Sequence, residues 1–131
     1  MNKDHIVVAV PNKPEYVSLV RLTSSSISNN MGFDFDDIDD IKVAVAEACN
    51  NLILSTATKE TEIRVEFWVG QEELVICITT DESVNCQFGA DEESIDQNLS
   101  LLIIRTIMDE VECIQGETSG IKMIKKIGVD A

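Results

Sequence analysis

One segment constrains the fold more than any other: the stretch FDFDDIDDIKVAVAEACNNLILSTAT, residues 33–58. Its early aspartates are typical of a helix start, because carboxylates accept free amide hydrogens there and suit the positive end of the helix dipole. Apolar residues then recur at spacings of three and four, at Ile38, Ile41, Val45, Ala48 and Leu52. This spacing predicts a long amphipathic helix.

Glu47 and Asn51 interrupt the apolar part of this helix. Positions four apart share one face of a helix, and this pair is predicted to lie roughly opposite the apolar stripe. A glutamate beside an amide oxygen can act as a general base next to a magnesium ligand, with phosphates completing the coordination. An alternative stays open at this point, because the same spacing also occurs on helix surfaces that only face water.

The remaining segments alternate between strand and helix patterns. HIVVAV is predicted as a first strand, a helix follows over residues 15–31 and ends at Gly32, and EIRVEFWV pairs with LVICITT as a hairpin. Residues 79–98 are acidic and aperiodic, which indicates a long loop. LSLLIIRTIMDEV is predicted as a third helix, and VECIQ, the turn GETSG and IKMIKKI as a last hairpin.

The element order β-α-α-β-β-α-β-β lacks the regular alternation of a parallel, doubly wound sheet. It favours an α+β fold, a two-layer α/β sandwich in which helices lie on one face of a mostly antiparallel sheet. A length of 131 residues with 44% hydrophobic content fits one core, so residues 1–131 are expected to form a single domain.

Charge and hydropathy narrow the classes of function. The formal net charge is -14, from 10 basic and 24 acidic residues, which disfavours direct binding to nucleic acid and favours a basic protein partner. The charge also has a simpler interpretation, as a means of solubility. No segment has the length of a membrane span or the form of a signal peptide, so a cytoplasmic protein is expected.

The four cysteines are well separated, and the chain has one histidine and no CxxC pair. This pattern is not typical of a zinc site or of a redox dithiol. Reduced, structural thiols are expected.

Two stretches carry a family resemblance: PEYVSLVRLTSSSISNNMGFDFDDIDDIKVAVAEACNN and IIRTIMDEV. They resemble the RsbW and SpoIIAB family of anti-sigma factor serine kinases, and the resemblance extends over residues 6–127. It implies the fold of the GHKL ATPases. It also implies a homodimer that holds a sigma factor inactive and uses Mg-ATP to phosphorylate a serine of an antagonist protein.

The resemblance assigns roles to individual residues. It implies that Glu47 is the general base, that Asn51 binds Mg²⁺ and nucleotide, and that Asp81 reads adenine. Asn98 and Ser100 stand where the family uses phosphate-binding glycines, and no glycine follows Asp81. Backbone amides approach phosphates closely and at positive φ where glycine is present, so these replacements are expected to weaken nucleotide binding.

The first helix carries the last expectation drawn from the family. Arg21 matches an arginine that contacts the sigma factor or the antagonist, and the fork of five donors in a guanidinium suits acidic groups. A solvated helix charge is the alternative. Three versions of the function therefore remain open: an anti-sigma factor that is released through ATP-dependent phosphorylation, a serine kinase in a signalling switch not aimed at transcription, and a nucleotide-free binding module without kinase activity.

Overall fold

The computed structural model describes residues 4–58, 60–82 and 95–128, except the side chains of residues 95–98. This part of the chain contains five strands and three α-helices. A 3-10 turn at Pro14–Tyr16 directly precedes the first helix. The strands are β1 (Asp4–Pro11), β2 (Glu62–Val69), β3 (Glu73–Thr80), β4 (Glu110–Ile114) and β5 (Ser119–Lys126). The helices are α1 (Val17–Met31), α2 (Phe35–Ser55) and α3 (Ile95–Ile107).

The strands pair in the order β1-β2-β3-β5-β4, and each pair of neighbours is antiparallel. α2 lies between α1 and α3 and contacts β3 and β5, while α1 contacts β2 and α3 contacts β4. The predicted α+β fold with helices layered on an antiparallel sheet is confirmed. Among the described residues, no helix combines the length and the apolar character that a membrane span requires.

The alternation in β2 places its apolar residues on the helix side of the sheet. Ile63, Val65 and Phe67 are buried there, and the first two lie opposite Thr80 and Ile78 of β3. The intervening residues of β2 point to the other face and are exposed or half-buried. Because directly paired residues of neighbouring strands share a face of the sheet, Ile78 and Thr80 of β3 also lie on the helix side.

α2 begins as its sequence predicts. The Asp34 side chain accepts a hydrogen bond from the backbone N–H of Asp37 at 2.8 Å. Its buried surface is wider than the predicted stripe, because α2 lies between two helices as well as above the sheet. Asn51 is consequently buried, and the prediction that it lies on a face opposite the core was wrong.

α1 ends at Gly32, whose φ of 96° places it in the left-handed region that glycine tolerates. The side chains of Tyr16 and Leu19 are exposed at the start of this segment. Ser24 and Ser28 are fully buried instead, and both hydroxyls donate to backbone carbonyls of their own helix. These small residues suit the close packing of α1 against α2.

Three predicted boundaries differ from the structure. Thr79 and Thr80 belong to β3, as the predicted strand LVICITT already had them, and α3 begins at Ile95, so the loop is shorter than the predicted 79–98. The third helix ends at Ile107 because Glu110 and the residues after it pair with β5. Ser119 and Gly120 pair with β3 and are not part of a turn. Residues 83–94 of the predicted loop lie outside the described residues.

Candidate functional site

The C-terminal end of α2 and the end of β3 meet at one edge of the molecule. The backbone N–H of Ala57, just after α2, donates to Glu82 Oε1 at 2.7 Å, and Glu82 follows β3 by two residues. Asn51 lies on the last turns of α2, and Asp81 lies directly after β3. The fold therefore brings two of the predicted site residues to the same edge of the molecule.

Glu47 is half-buried on α2 and is in contact with α3. The Ser100 hydroxyl donates a hydrogen bond to Glu47 Oε2 at 2.7 Å, across a separation of 53 residues. This distance is typical of a hydroxyl that donates to an ionised carboxylate, the stronger class of hydrogen bond. Two residues that the sequence placed in one site are thus in direct contact.

Asn51 follows Glu47 by one helical turn and is 3% exposed. Its side-chain oxygen Oδ1 is buried and accepts no hydrogen bond from any described residue. A buried amide oxygen without a partner costs folding free energy, on the order of 1–3 kcal/mol. Such an atom is available to a ligand that brings a positive charge or a donor.

The other predicted site residues have different surroundings. Asp81 is exposed, and its Oδ1 accepts a hydrogen bond from the Thr118 hydroxyl at 3.2 Å. The backbone of Asn98 is helical in α3, whereas its side chain lies outside the described residues. Arg21 is exposed on α1. The contacts of the described residues therefore join Glu47 to Ser100 but leave Asp81 and Arg21 apart from that pair.

Burial has a strong effect on one neighbour in α2. Cys49 is 1% exposed, and desolvation raises the pKa of its thiol from 9.0 to about 12. The protonated thiol is therefore the stable form at neutral pH. Cys49, Cys77 and Cys113 form no disulfide bond with one another.

Sequence reasoning missed a set of polar groups at the same edge. Asn12 is fully buried and donates from Nδ2 to Thr56 Oγ1 at 2.7 Å and to the Thr58 carbonyl at 3.0 Å, which fastens the segment after α2. Thr80 Oγ1 and Glu82 Oε2 are buried and have no hydrogen-bond partner among the described residues. The sequence offered one indication of this set, since Glu82 is adjacent to the predicted site residue Asp81. Asn12 is distant in sequence from the other residues, so its contacts could not be predicted.

Comparison with known proteins identifies the family of this arrangement. Residues 10–125 match the family described as the histidine kinase-like ATPase domain. Serine-protein kinase RsbW of Bacillus licheniformis is 37% identical over 122 residues, which cover 82% of this chain and 76% of that protein. The chain belongs to the RsbW family of histidine kinase-like ATPase domains.

Other RsbW proteins are similar over comparable lengths. The RsbW of Bacillus subtilis strain 168 is 34% identical over 125 residues, covering 84% of this chain and 78% of its own length. The RsbW of Bacillus cereus strain B4264 is 30% identical over 138 aligned positions, covering 95% of this chain and 86% of its own. The family resemblance drawn from the sequence is confirmed.

A solved structure has the same fold. The crystal structure of the RsbU and RsbW domains of a Mycobacterium tuberculosis protein matches 98% of this chain with a TM-score of 0.75. The chain spans about a third of that structure, 34% of its length, at 14% identity. This likeness supports the RsbW fold and carries no information on partners.

The residues of the candidate site fit a magnesium nucleotide in one respect. The buried and unpaired Oδ1 of Asn51 is an amide oxygen, the type of ligand that Mg²⁺ accepts. The described residues contain no group of three or more His, Cys, Asp or Glu that could hold a metal ion. A Mg²⁺ ion at Asn51 would therefore take most of its ligands from phosphate oxygens and water.

Proposed function

We propose that this chain is an anti-sigma factor of the RsbW kind. It binds a bacterial sigma factor and is released when an antagonist protein binds in turn. The observation that carries the proposal is the match to RsbW proteins at 30–37% identity over most of the chain. This role would place the chain in the cytoplasm, as a single domain without direct contact to nucleic acid or membrane.

The outward face of α1 supports a protein-binding role. Leu19 and Leu22 are 49% and 67% exposed and flank the exposed Arg21. Exposed leucines beside an arginine are typical of protein interfaces, where apolar contact supplies affinity and the guanidinium recognises acidic groups. We place the contact with the sigma factor, and the contact between two copies in a homodimer, on this helix.

The charge of the chain supports the same kind of partner. A net charge of -14 attracts basic surfaces and raises the rate at which a basic protein associates. A DNA-binding protein presents such a surface. Binding of this chain would then cover the partner's DNA-binding face.

The nucleotide chemistry of the proposal is assigned to residues of α2 and α3 and to Asp81 after β3. When bound, Mg-ATP would supply a phosphoryl group for a serine of the antagonist. Asn51 would hold the magnesium through its unpaired Oδ1, Asp81 would recognise the adenine, and Asn98 and Ser100 would belong to the phosphate site. Glu47 would orient the acceptor hydroxyl and accept its proton.

A second candidate, a binding module without kinase activity, is favoured by one contact. The Ser100 hydroxyl already occupies an oxygen of Glu47 at 2.7 Å. Ser100 and Asn98 also replace glycines of the family, which removes positive-φ backbone positions from the phosphate loop. In this version the antagonist displaces the sigma factor by binding alone.

Two measurements on the same protein separate these candidates. Calorimetry with Mg-ATP measures nucleotide binding, and capture of each purified sigma factor of the source bacterium measures partner binding. Sigma capture with nucleotide binding and phosphate transfer to the antagonist supports the kinase version. Capture without nucleotide affinity supports the binding module, and absence of capture contradicts both.

Matched variants test the residue assignments. We expect Arg21→Ala to weaken sigma capture by about tenfold or more, because a charged interface contact is lost. Arg105→Ala, which removes an exposed arginine from α3, is the control and should leave capture unchanged. Glu47→Ala should abolish phosphate transfer and leave capture intact, and equal transfer by this variant would contradict the assignment of the base.

A further inference from the structure

Ser100 holds Glu47 across the interface of two helices. Its Oγ lies 2.7 Å from Glu47 Oε2, and both side chains are half-buried. Ser100 lies on α3 and Glu47 on α2, so the bond depends on the packing of these helices. The other hydroxyls that donate along α3 and α1 bond to carbonyls of their own helices, as Thr106 does to Leu102 at 2.7 Å.

The geometry of this bond matches that of a base with its acceptor. A general base that activates a hydroxyl accepts a hydrogen bond from it at about 2.6–3.2 Å before the proton is transferred. The Ser100 hydroxyl meets that condition from within the chain. A glycine at this position has no hydroxyl, and it leaves the carboxylate oxygen free for an incoming group.

The hydrogen bond also changes the carboxylate itself. A carboxylate has about four lone-pair sites, and a bond donated to one of them stabilises the charged form and so makes the group a weaker base. An acceptor hydroxyl that approaches Glu47 must therefore displace Ser100 or share the carboxylate with it. Both routes raise the barrier relative to a site with glycine.

We propose that Ser100 is a positioning residue that occupies Glu47 in place of the acceptor hydroxyl and so slows phosphoryl transfer. The proposal rests on the proposed nucleotide site and concerns its rate. Ser100 acts through Glu47, since its own oxygen receives no phosphoryl group in this scheme.

Four variants isolate the hydroxyl. Ser100→Ala removes the hydroxyl and keeps Cβ, whereas Ser100→Gly also frees the backbone. Ser100→Thr keeps a hydroxyl on the same carbon. Thr106→Ala is the matched control, because it removes from the same helix a hydroxyl with the same 2.7 Å donor distance that bonds to a backbone carbonyl.

The first readout is release of inorganic phosphate from Mg-ATP, with water as the acceptor. We expect Ser100→Ala to raise kcat on the order of tenfold, the effect of removing one charge-assisted bond from the ground state. The KM for ATP should stay within about twofold, because the hydroxyl bonds to Glu47 and does not contribute to the binding of ATP in the ground state. Ser100→Gly should be at least as fast as Ser100→Ala, Ser100→Thr should stay slower than Ser100→Ala because it keeps a hydroxyl, and Thr106→Ala should match the parent chain.

The second readout needs no nucleotide. In protein labelled with ¹³C at the glutamate carboxylates, the Glu47 resonance is assigned by its loss in Glu47→Gln. Loss of the hydrogen bond should move this resonance in Ser100→Ala and leave it in place in Ser100→Thr and Thr106→Ala. An unmoved resonance in Ser100→Ala would overturn the proposal.

The outcomes distinguish other roles of Ser100. A structural clamp between the helices predicts that Ser100→Ala lowers kcat together with the thermal midpoint, and this result would overturn the proposal. Phosphate found on Ser100 by mass spectrometry would overturn it as well, since Ser100 would then be an acceptor. If every variant fails to release phosphate, the proposed nucleotide chemistry is wrong and this proposal is overturned with it, whereas phosphate release with an unchanged kcat in Ser100→Ala would overturn this proposal alone.

Discussion

The ammonium group of Lys125 lies 3.6 Å from Asp37 Oδ1 and so joins the last strand to the first turn of α2. The same Nζ donates to the Ile107 carbonyl at the end of α3, and Asp40 Oδ2 lies 3.9 Å away. Lys125 is 11% exposed, and this burial is uncommon for a lysine. Its three partners tie the two helices that carry Glu47 and Ser100 to one strand.

We expect Lys125→Met to lower the free energy of unfolding by about 1–3 kcal/mol, because a partly buried carbonyl and a partly buried carboxylate lose their partner. Lys126→Met is the control, since the ion pair of Lys126 with Glu110 is 55% and 58% exposed and contributes about 0–1 kcal/mol. Urea denaturation of both variants measures the difference. Equal losses would contradict a special role for Lys125.

Gly120 admits no side chain. A Cβ at this position would lie 1.9 Å from the Ile78 carbonyl oxygen and 2.8 Å from the Thr79 Cα, both in the backbone of β3. Gly120→Ala should therefore break the pairing of β5 with β3 and lower the free energy of unfolding by about 3 kcal/mol or more. Gly128→Ala, with no atom within 4 Å, should change it by less than about 0.5 kcal/mol.

Substitution of Asn51 tests the magnesium assignment, because a bound ligand raises the free energy of unfolding. Asn51→Leu removes a buried oxygen that has no partner among the described residues, so its cost without ligand should be within about 1 kcal/mol. Mg-ATP at a hundred times its Kd should raise the free energy of unfolding of the parent by about 2.7 kcal/mol, and this gain should vanish in the variant.

The neighbouring Asn50 provides the control for this measurement. Asn50 is exposed on the same helix, and Asn50→Leu should keep the full stabilisation by Mg-ATP. Thermal shift of the three proteins with Mg-ATP and without it gives the comparison. Equal stabilisation of the Asn51 variant would remove the assignment of Asn51 as a ligand.

The buried thiol of Cys49 should make the free energy of unfolding depend on pH in the alkaline range. Below pH 9.0 the thiol is protonated in both states, and between 9.0 and about 12 the unfolded state loses a proton that the folded state keeps. The free energy of unfolding should therefore fall by about 1.4 kcal/mol per pH unit through this group as pH rises across that window. Cys49→Ala should lack this component, and denaturation at pH 8, 9.5 and 10.5 measures both slopes. Parallel slopes would contradict the assignment.

Local pattern predicted much of the fold. The cap at Asp34, the apolar spacing in α2 and the alternation in β2 predicted elements that the structure contains, because each depends on residues close in sequence. The same reasoning misplaced the end of α3. Glu110 continues a helical pattern, but its pairing with Ile124 of β5 is a contact that local periodicity cannot register.

Some features of the candidate site could likewise be predicted from local sequence, and others could not. Glu47 and Asn51 could be predicted as a pair, since a helix places residues four apart on one face whatever surrounds it. Sequence alone thus determined the long helix α2, the order of helices and strands along the chain, and the family. Tertiary structure alone decided that Asn51 is buried, that Ser100 bonds Glu47 and that Lys125 joins α2 to α3. These contacts connect residues far apart along the chain, and they form only when the helices pack against each other and against the sheet.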